Sequence, residues 1–182
     1  MTDRDYPDDP AEPFDPPPET FTDREGRAIA VHRYGAGPPA DEDAESDALV
    51  TMYAAFDPAD RAQGIPPTDE DRIRRWLSGL LSGEAVNVIA WHGTDAVGHA
   101  TLVPGDDGGY ELAIFVLQAY QRAGIGSRLI RRLLGAGQEA GVDRVWLTVE
   151  HWNTPAIGLY NAVGFETTDT ESFERIMAIR LA

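Results

Sequence analysis

A chain of 182 residues, 42% of them hydrophobic, holds one compact domain with a substantial core and little room for a second. It has no cysteine, a formal net charge of −16, and arginine at every one of its 15 basic positions. This excludes disulfides, thiolate-held zinc and a thioester on an enzyme cysteine, and the negative charge argues against nucleic acid.

Residues 1–25 are acidic and proline-rich, and are predicted to form a mobile tail ahead of a domain spanning 26–182, because so little apolar area cannot offset ordering entropy. Phe14 and Phe21 are the tail's candidates for docking onto the domain or a partner. Ala28 to Arg33 reads as a first strand, followed by a loop from Gly35 to Pro39. Leu49, Met52, Tyr53 and Phe56 recur at the spacing of an amphipathic helix, which Asp57-Pro58 ends. After a loop from Ala59 to Pro67, Thr68 or Asp69 caps a second helix carrying Ile73, Trp76, Leu77, Leu80 and Leu81.

Strands Val86–Trp91, Ala96–Val103 and Tyr110–Val116 are separated by turn-forming segments and predict an antiparallel meander. A long helix from Gly124 to Ala140, a strand over Val142–Val149, a short helix over Pro155–Val163 and two last strands complete the chain. Thr154 and Pro155 read as the short helix's N-cap and first position, with Gly164 as its stop. No apolar run approaches the ~18 residues of a membrane span, and the N-terminus lacks a secretory pattern, so a cytoplasmic location is expected. The four histidines lack metal-site spacing.

Two stretches carry chemistry. In the first, a buried strand runs into Gln121-Arg-Ala-Gly-Ile-Gly126 and then a helix. Glycines at 124 and 126 permit close backbone approach, and first-turn amides without helical partners suit a diphosphate. Without lysine there is no Walker loop, and Leu129 stands where a dinucleotide fingerprint needs its third glycine. The second stretch runs from Val149 to Phe165 and contains Asn153 and Tyr160.

Together, Q-x-x-G-x-G and N-x-x-A-I-x-L-Y-x-x-x-G-F resemble the two cofactor motifs of the GNAT superfamily of acyl-CoA-dependent N-acetyltransferases, over roughly residues 28–182. The resemblance implies an α/β fold whose twisted, mostly antiparallel sheet has two parallel strands, ending at Val116 and Val149, that splay apart. It implies acetyl-CoA between them, its pantetheine along Val116 and Leu117 and its diphosphate on Gln121, Arg122, Ala123, Gly124, Ile125, Gly126 and Ser127. Arg122 and Arg128 could flank those phosphates. Asn153 either orders its turn, caps the helix or touches the cofactor.

By its place in the motif, Tyr160 resembles the family's general acid for the departing thiolate, and the amide of Val116 or Leu117 resembles its carbonyl-polarising donor. Glu111 is the candidate base, weighed against a structural or substrate-positioning role, with Glu150 and His151 next. No metal is expected. The acceptor is a primary amine: a small molecule, a protein N-terminus or a lysine, held near Asp57, Asp60 and Arg61. Neither a membrane nor nucleic acid is an expected partner, and a homodimer is left open. An idle acyl-CoA-binding sensor or a partner-binding module is the alternative to an enzyme. The acidic, lysine-free composition reads as adaptation to a salty cytoplasm, with folding that depends on salt, and less readily as a surface that attracts cationic substrates.

Overall fold

The computed structural model describes residues 3–39, 41–61 and 65–182, so residues 62–64 of the predicted loop Ala59–Pro67 lie outside it. One eight-stranded sheet runs through the molecule in the order β1-β2-β3-β4-β5-β6-β8-β7. Its strands are β1 (Glu19–Thr22), β2 (Ala28–Arg33), β3 (Val86–His92), β4 (Asp95–Pro104), β5 (Tyr110–Val116), β6 (Arg144–Glu150), β7 (Glu166–Thr170) and β8 (Glu174–Arg180). Helices α1 (Glu42–Ala54) and α2 (Glu70–Leu80) cover one face, and α3 (Ile125–Glu139) with α4 (Thr154–Val163) the other.

All neighbours are antiparallel except β5 and β6. These pair in parallel only at Tyr110↔Val145 and Glu111↔Trp146, and then diverge. Helix α3 supplies the crossover that parallel neighbours require. Its stripe of Leu129, Ile130, Leu133 and Leu134 is fully buried against a cluster that includes Val88, Ala100, Leu102 and Leu112. A second cluster on the opposite face gathers Leu49, Met52, Tyr53, Phe56, Ile73 and Leu77 over Ile89 and Trp91.

Side-chain caps refine the helix starts, and one of them corrects the expected Thr154 cap. Helix α1 begins well before its apolar stripe, at an Asp41 cap whose side chain accepts from the Asp43 amide. Buried Glu45 on its first turns accepts from the Gly35 amide at 2.8 Å and the Gly37 amide, so a carboxylate stands where periodicity looks for hydrocarbon. Gly37 must be glycine because a Cβ there would lie 2.6 Å from Glu45 and 2.9 Å from Trp91. Helix α4 is capped by Asn153, whose Oδ1 accepts from the Ala156 amide, and Thr154 is its first helical residue.

The largest difference is the predicted tail. Residues 19–22 pair with β2 in register from Glu19↔Val31 to Thr22↔Ala28. Ahead of them the Ala11 amide donates to Arg180 O at 2.8 Å, the Phe14 amide donates to Gln138 Oε1 at 2.9 Å, and Phe14 and Phe21 pack against the core. Glu19 is paired with both Arg128 and Arg132, and Arg4 stacks on Trp146. Backbone pairing and these ion pairs order the segment where its composition promises too little burial.

Candidate functional site

The divergence of β5 from β6 exposes backbone. Leu117 donates its amide to Val97 O at 3.0 Å, on the β4 side. Because antiparallel strands alternate the direction of their backbone groups, Val116 and Ile114 turn theirs toward β6, into the opening. Leu117 is therefore not free to polarise a carbonyl, and Val116 and Ile114 are. The Gln121 side chain closes the strand end by donating to Val116 O at 3.0 Å. Its own amide donates to Gln118 O, which removes Gln121 from the set of free loop donors.

Beyond Gln121 the backbone folds into a concave run. Arg122 takes a left-handed conformation at φ 58°, and so does Gly124 at φ 90°. Alternation between left- and right-handed residues turns successive amides to one side. Among the described residues, the amides of Arg122, Ala123, Gly124, Ile125, Gly126 and Ser127 donate to no carbonyl outside α3. Helices α1, α2 and α4 each have a side chain capping the first turn, from Asp41, Asp69 and Asn153, and α3 has none. The unsatisfied amides and the positive end of the helix dipole favour an anion here. A Cβ at Gly126 would meet Leu159 of α4 at 3.4 Å and Ile114 of β5 at 3.9 Å, ordinary contact distances that place the start of α3 directly beside both elements.

Tyr160 on α4 is nine-tenths buried, edge-on to Phe165 at 5.9 Å, in the cluster that includes Ile125, Ile114 and Val116. Burial pushes its phenol up to about 12, so it stays protonated throughout the neutral range. Its hydroxyl makes no hydrogen bond among the described residues. It is a retained proton in an apolar wall.

β5 pairs with β4 without a bulge, which sets Glu111, Ala113 and Phe115 on the face of α1 and α2. Glu111 stands where β5 and β6 last pair, at the closed end of the fork. It is exposed overall, yet partial burial raises its carboxyl above the usual carboxylate range, with the charge of Arg4 pulling the other way. His151 is committed elsewhere: Nε2 donates to Glu171 O at 2.6 Å, and Nδ1 faces Arg175 Nε at 3.4 Å. Arg128 pairs with Glu19 and stacks on Phe21, which ties it to β1 in place of a phosphate. Arg122 is exposed.

On the α1 and α2 side, Tyr53, Phe56, Trp76 and Phe115 form an aromatic cluster with centroids 5.0–6.1 Å apart. Beneath it lies a buried polar chain that sequence reasoning missed. Tyr53 Oη lies 2.6 Å from His99 Nδ1, His99 Nε2 lies 2.7 Å from Asn87 Oδ1, and Asn87 Nδ2 donates to Leu80 O at 2.8 Å. Nothing local in the sequence marks residues so far apart as partners.

Comparison with known proteins places this arrangement. The model of the acetyltransferase (GNAT) family matches residues 48–165. An N-alpha-acetyltransferase of Sulfurisphaera tokodaii is 39% identical over 91 residues, half of this chain and 53% of that protein. The chain spans about half the length of the curated relatives it matches. The GNAT domain of S. lividans PAT superposes with a TM-score of 0.72 at 18% identity, covering 90% of this chain and 97% of that domain. The Salmonella typhimurium protein yncA, solved with its cofactor acetyl-CoA, gives a TM-score of 0.63 at 17% identity over 85% of this chain and 94% of its own. Forked parallel strands, an uncapped helix after a glycine turn and a family match across both thus converge: the chain belongs to the GNAT family of acetyltransferases.

Proposed function

We propose that the protein transfers an acetyl group from acetyl-CoA to a primary amine, directly, within a ternary complex. The observation that carries this reading is the run of free amides from Arg122 to Ser127 at the one α-helix start among the described residues without a capping side chain, beside two parallel strands that part after Glu111 and Trp146. In this reading the amides take the coenzyme's diphosphate and the unpaired edge of β5 takes its pantetheine.

The amine lone pair attacks the thioester carbonyl carbon. The amide of Val116 or Ile114 donates to the oxygen as it becomes an oxyanion. The carbon–sulfur bond then breaks, and Tyr160 donates its proton to the leaving sulfur. The attacking amine gives up its own proton to water that relays it to Glu111, which stands three residues or more down β5 from the oxyanion donors, and the raised pKa of that carboxyl suits a base. With no cysteine in the chain, no acyl-cysteine intermediate is available.

The acceptor we favour is the α-amino group of a polypeptide, on the strength of the N-alpha-acetyltransferase relative. We place the protein in a salty cytoplasm, where screening relieves the repulsion of its −16 charge; melting temperature should then rise with KCl. Thiol release from acetyl-CoA, in about 2 M KCl and against a panel of peptides, amino acids and amines, tests the function. Tyr160→Phe should lower turnover by 10²–10⁴ with coenzyme affinity nearly kept. Wild-type protein that binds acetyl-CoA yet releases no thiol with any acceptor would point to a sensor.

A further inference from the structure

The concave loop does not hold its shape alone. Its carbonyls are gripped from behind by the turn between β1 and β2. The Arg24 amide donates to Ala123 O at 3.1 Å, and Arg24 Nη1 approaches Arg122 O at 3.4 Å. Arg27 Nη1 donates to Ala119 O at 2.9 Å, and its guanidinium lies 4.0 Å from the centre of the Tyr120 ring. Tyr120 is fixed from its far side by a 2.8 Å hydrogen bond between its hydroxyl and His92 Nδ1.

The turn is itself rigid. The Asp23 amide donates to Arg27 O at 2.9 Å, and Gly26 adopts φ 80°. The buried Asp23 carboxylate accepts from the amides of Glu25 and Arg27 at 3.0 and 2.9 Å, and from Arg27 Nε at 2.7 Å. Burial opposes ionisation of that carboxyl, but these donors outweigh it and hold it below the usual carboxylate range. The consequence for Arg27 is that one edge of its guanidinium is locked onto the hairpin while another reaches the loop. Its remaining Nη2 is buried with no hydrogen-bond partner among the described residues, an arrangement that folding alone does not favour.

A peptide unit whose carbonyl is held on one side presents its amide to the other. Tethering the carbonyls of Arg122 and Ala123 therefore fixes the direction of the Ala123 and Gly124 amides, while the hold on Ala119 and Tyr120 fixes the turn that leads into the loop, the Tyr120 amide itself being spent on Leu117 O. We propose that the hairpin Asp23–Arg27 is a positioning element for the diphosphate loop, Arg24 anchoring the carbonyls behind its first amides and Arg27 fixing the Ala119–Tyr120 turn from which the Arg122–Ser127 run departs. Arg27 need not touch the coenzyme. The inference rests on the reading that this loop binds the coenzyme, and it gives the N-terminal segment a role in affinity.

Arg27→Lys separates the two jobs of the side chain. A lysine keeps the charge beside Asp23 but lacks the second nitrogen needed to reach Ala119 O. Two measurements on the full chain decide the matter. Calorimetric titration with coenzyme A should show binding weakened about tenfold, with the melting temperature of unliganded protein kept within about 2 °C. Hydrogen exchange in the peptide covering 118–127 of the unliganded protein should become faster in the variant. Unchanged affinity, or a fall in melting temperature with exchange and affinity kept, would overturn the proposal. If wild-type protein fails to bind coenzyme A at all, the functional reading falls, and exchange alone still reports whether the hairpin holds the loop. Should Arg27→Lys not fold, Tyr120→Leu, which removes the ring under the guanidinium, is read in the same way.

Discussion

Acid should unfold this protein through one histidine. His99 is fully buried on β4, and its hydrogen-bond partners fix its tautomer. Asn87 uses its Nδ2 on Leu80 O, so its Oδ1 faces His99, and His99 Nε2 carries the proton. Nδ1 then accepts from the Tyr53 hydroxyl. Charging the ring would bury an unpaired cation and oppose the Tyr53 donor; burial lowers its pKa from 6.5 to about 3.

A folded-state pKa below the unfolded one means the unfolded chain binds the extra proton between the two values. Stability is therefore level above about pH 6.5 and is lost as pH falls toward 3. At 1.36 kcal/mol per unit, the loss from this group is about 2 kcal/mol by pH 5. That corresponds to a fall of roughly 4–8 °C in melting temperature for a chain of this size. The assay is chemical denaturation at constant KCl from pH 8 to 5, for wild type and His99→Gln. Glutamine can accept from Tyr53 and donate to Asn87 but cannot titrate, and the other histidines are common to both proteins. The variant should be somewhat less stable at pH 8 and should lose about 2 kcal/mol less on going to pH 5. Parallel curves over that range would refute the argument.

Two further outcomes follow from the same geometry. A Cβ at Gly135 would lie 2.5 Å from the backbone of Asp15, so Gly135→Ala should lift residues 3–18 from α3. Limited proteolysis should then cut that segment faster while the remaining domain stays resistant; an unchanged digestion pattern would contradict the packing. If Glu111 is the base it must be ionised, so kcat/KM should rise with pH through a limb above the ordinary carboxylate range. Glu111→Gln should abolish that limb and lower kcat/KM by about 10² or more, measured by thiol release. Retention of the limb would assign it to another group.

The fold was legible wherever a local pattern decides structure. The alternation from Val86 to Val116, the stripe of Leu129 to Leu134, and glycines at 124 and 126 marked the sheet, the crossover helix and the turn that opens it in their observed places. What stayed hidden depends on partners distant in sequence. Leu117 is withdrawn from the site by Val97, and His151 by Glu171 and Arg175. Asp23 fell within the predicted mobile tail and Arg27 just past its end, since a composition argument cannot foresee that carbonyls of Ala119 to Ala123 would pass alongside. The chain from Tyr53 through His99 to Asn87 joins three separate elements, and each residue alone reads as ordinary core or surface.

The most direct test of the account is a crystal structure with coenzyme A bound. The account predicts diphosphate oxygens within about 3.2 Å of amides between Arg122 and Ser127, and the sulfur within about 4 Å of Tyr160 Oη. A diphosphate bound away from α3, or a Tyr160 hydroxyl turned into hydrocarbon with the sulfur out of reach, would contradict it.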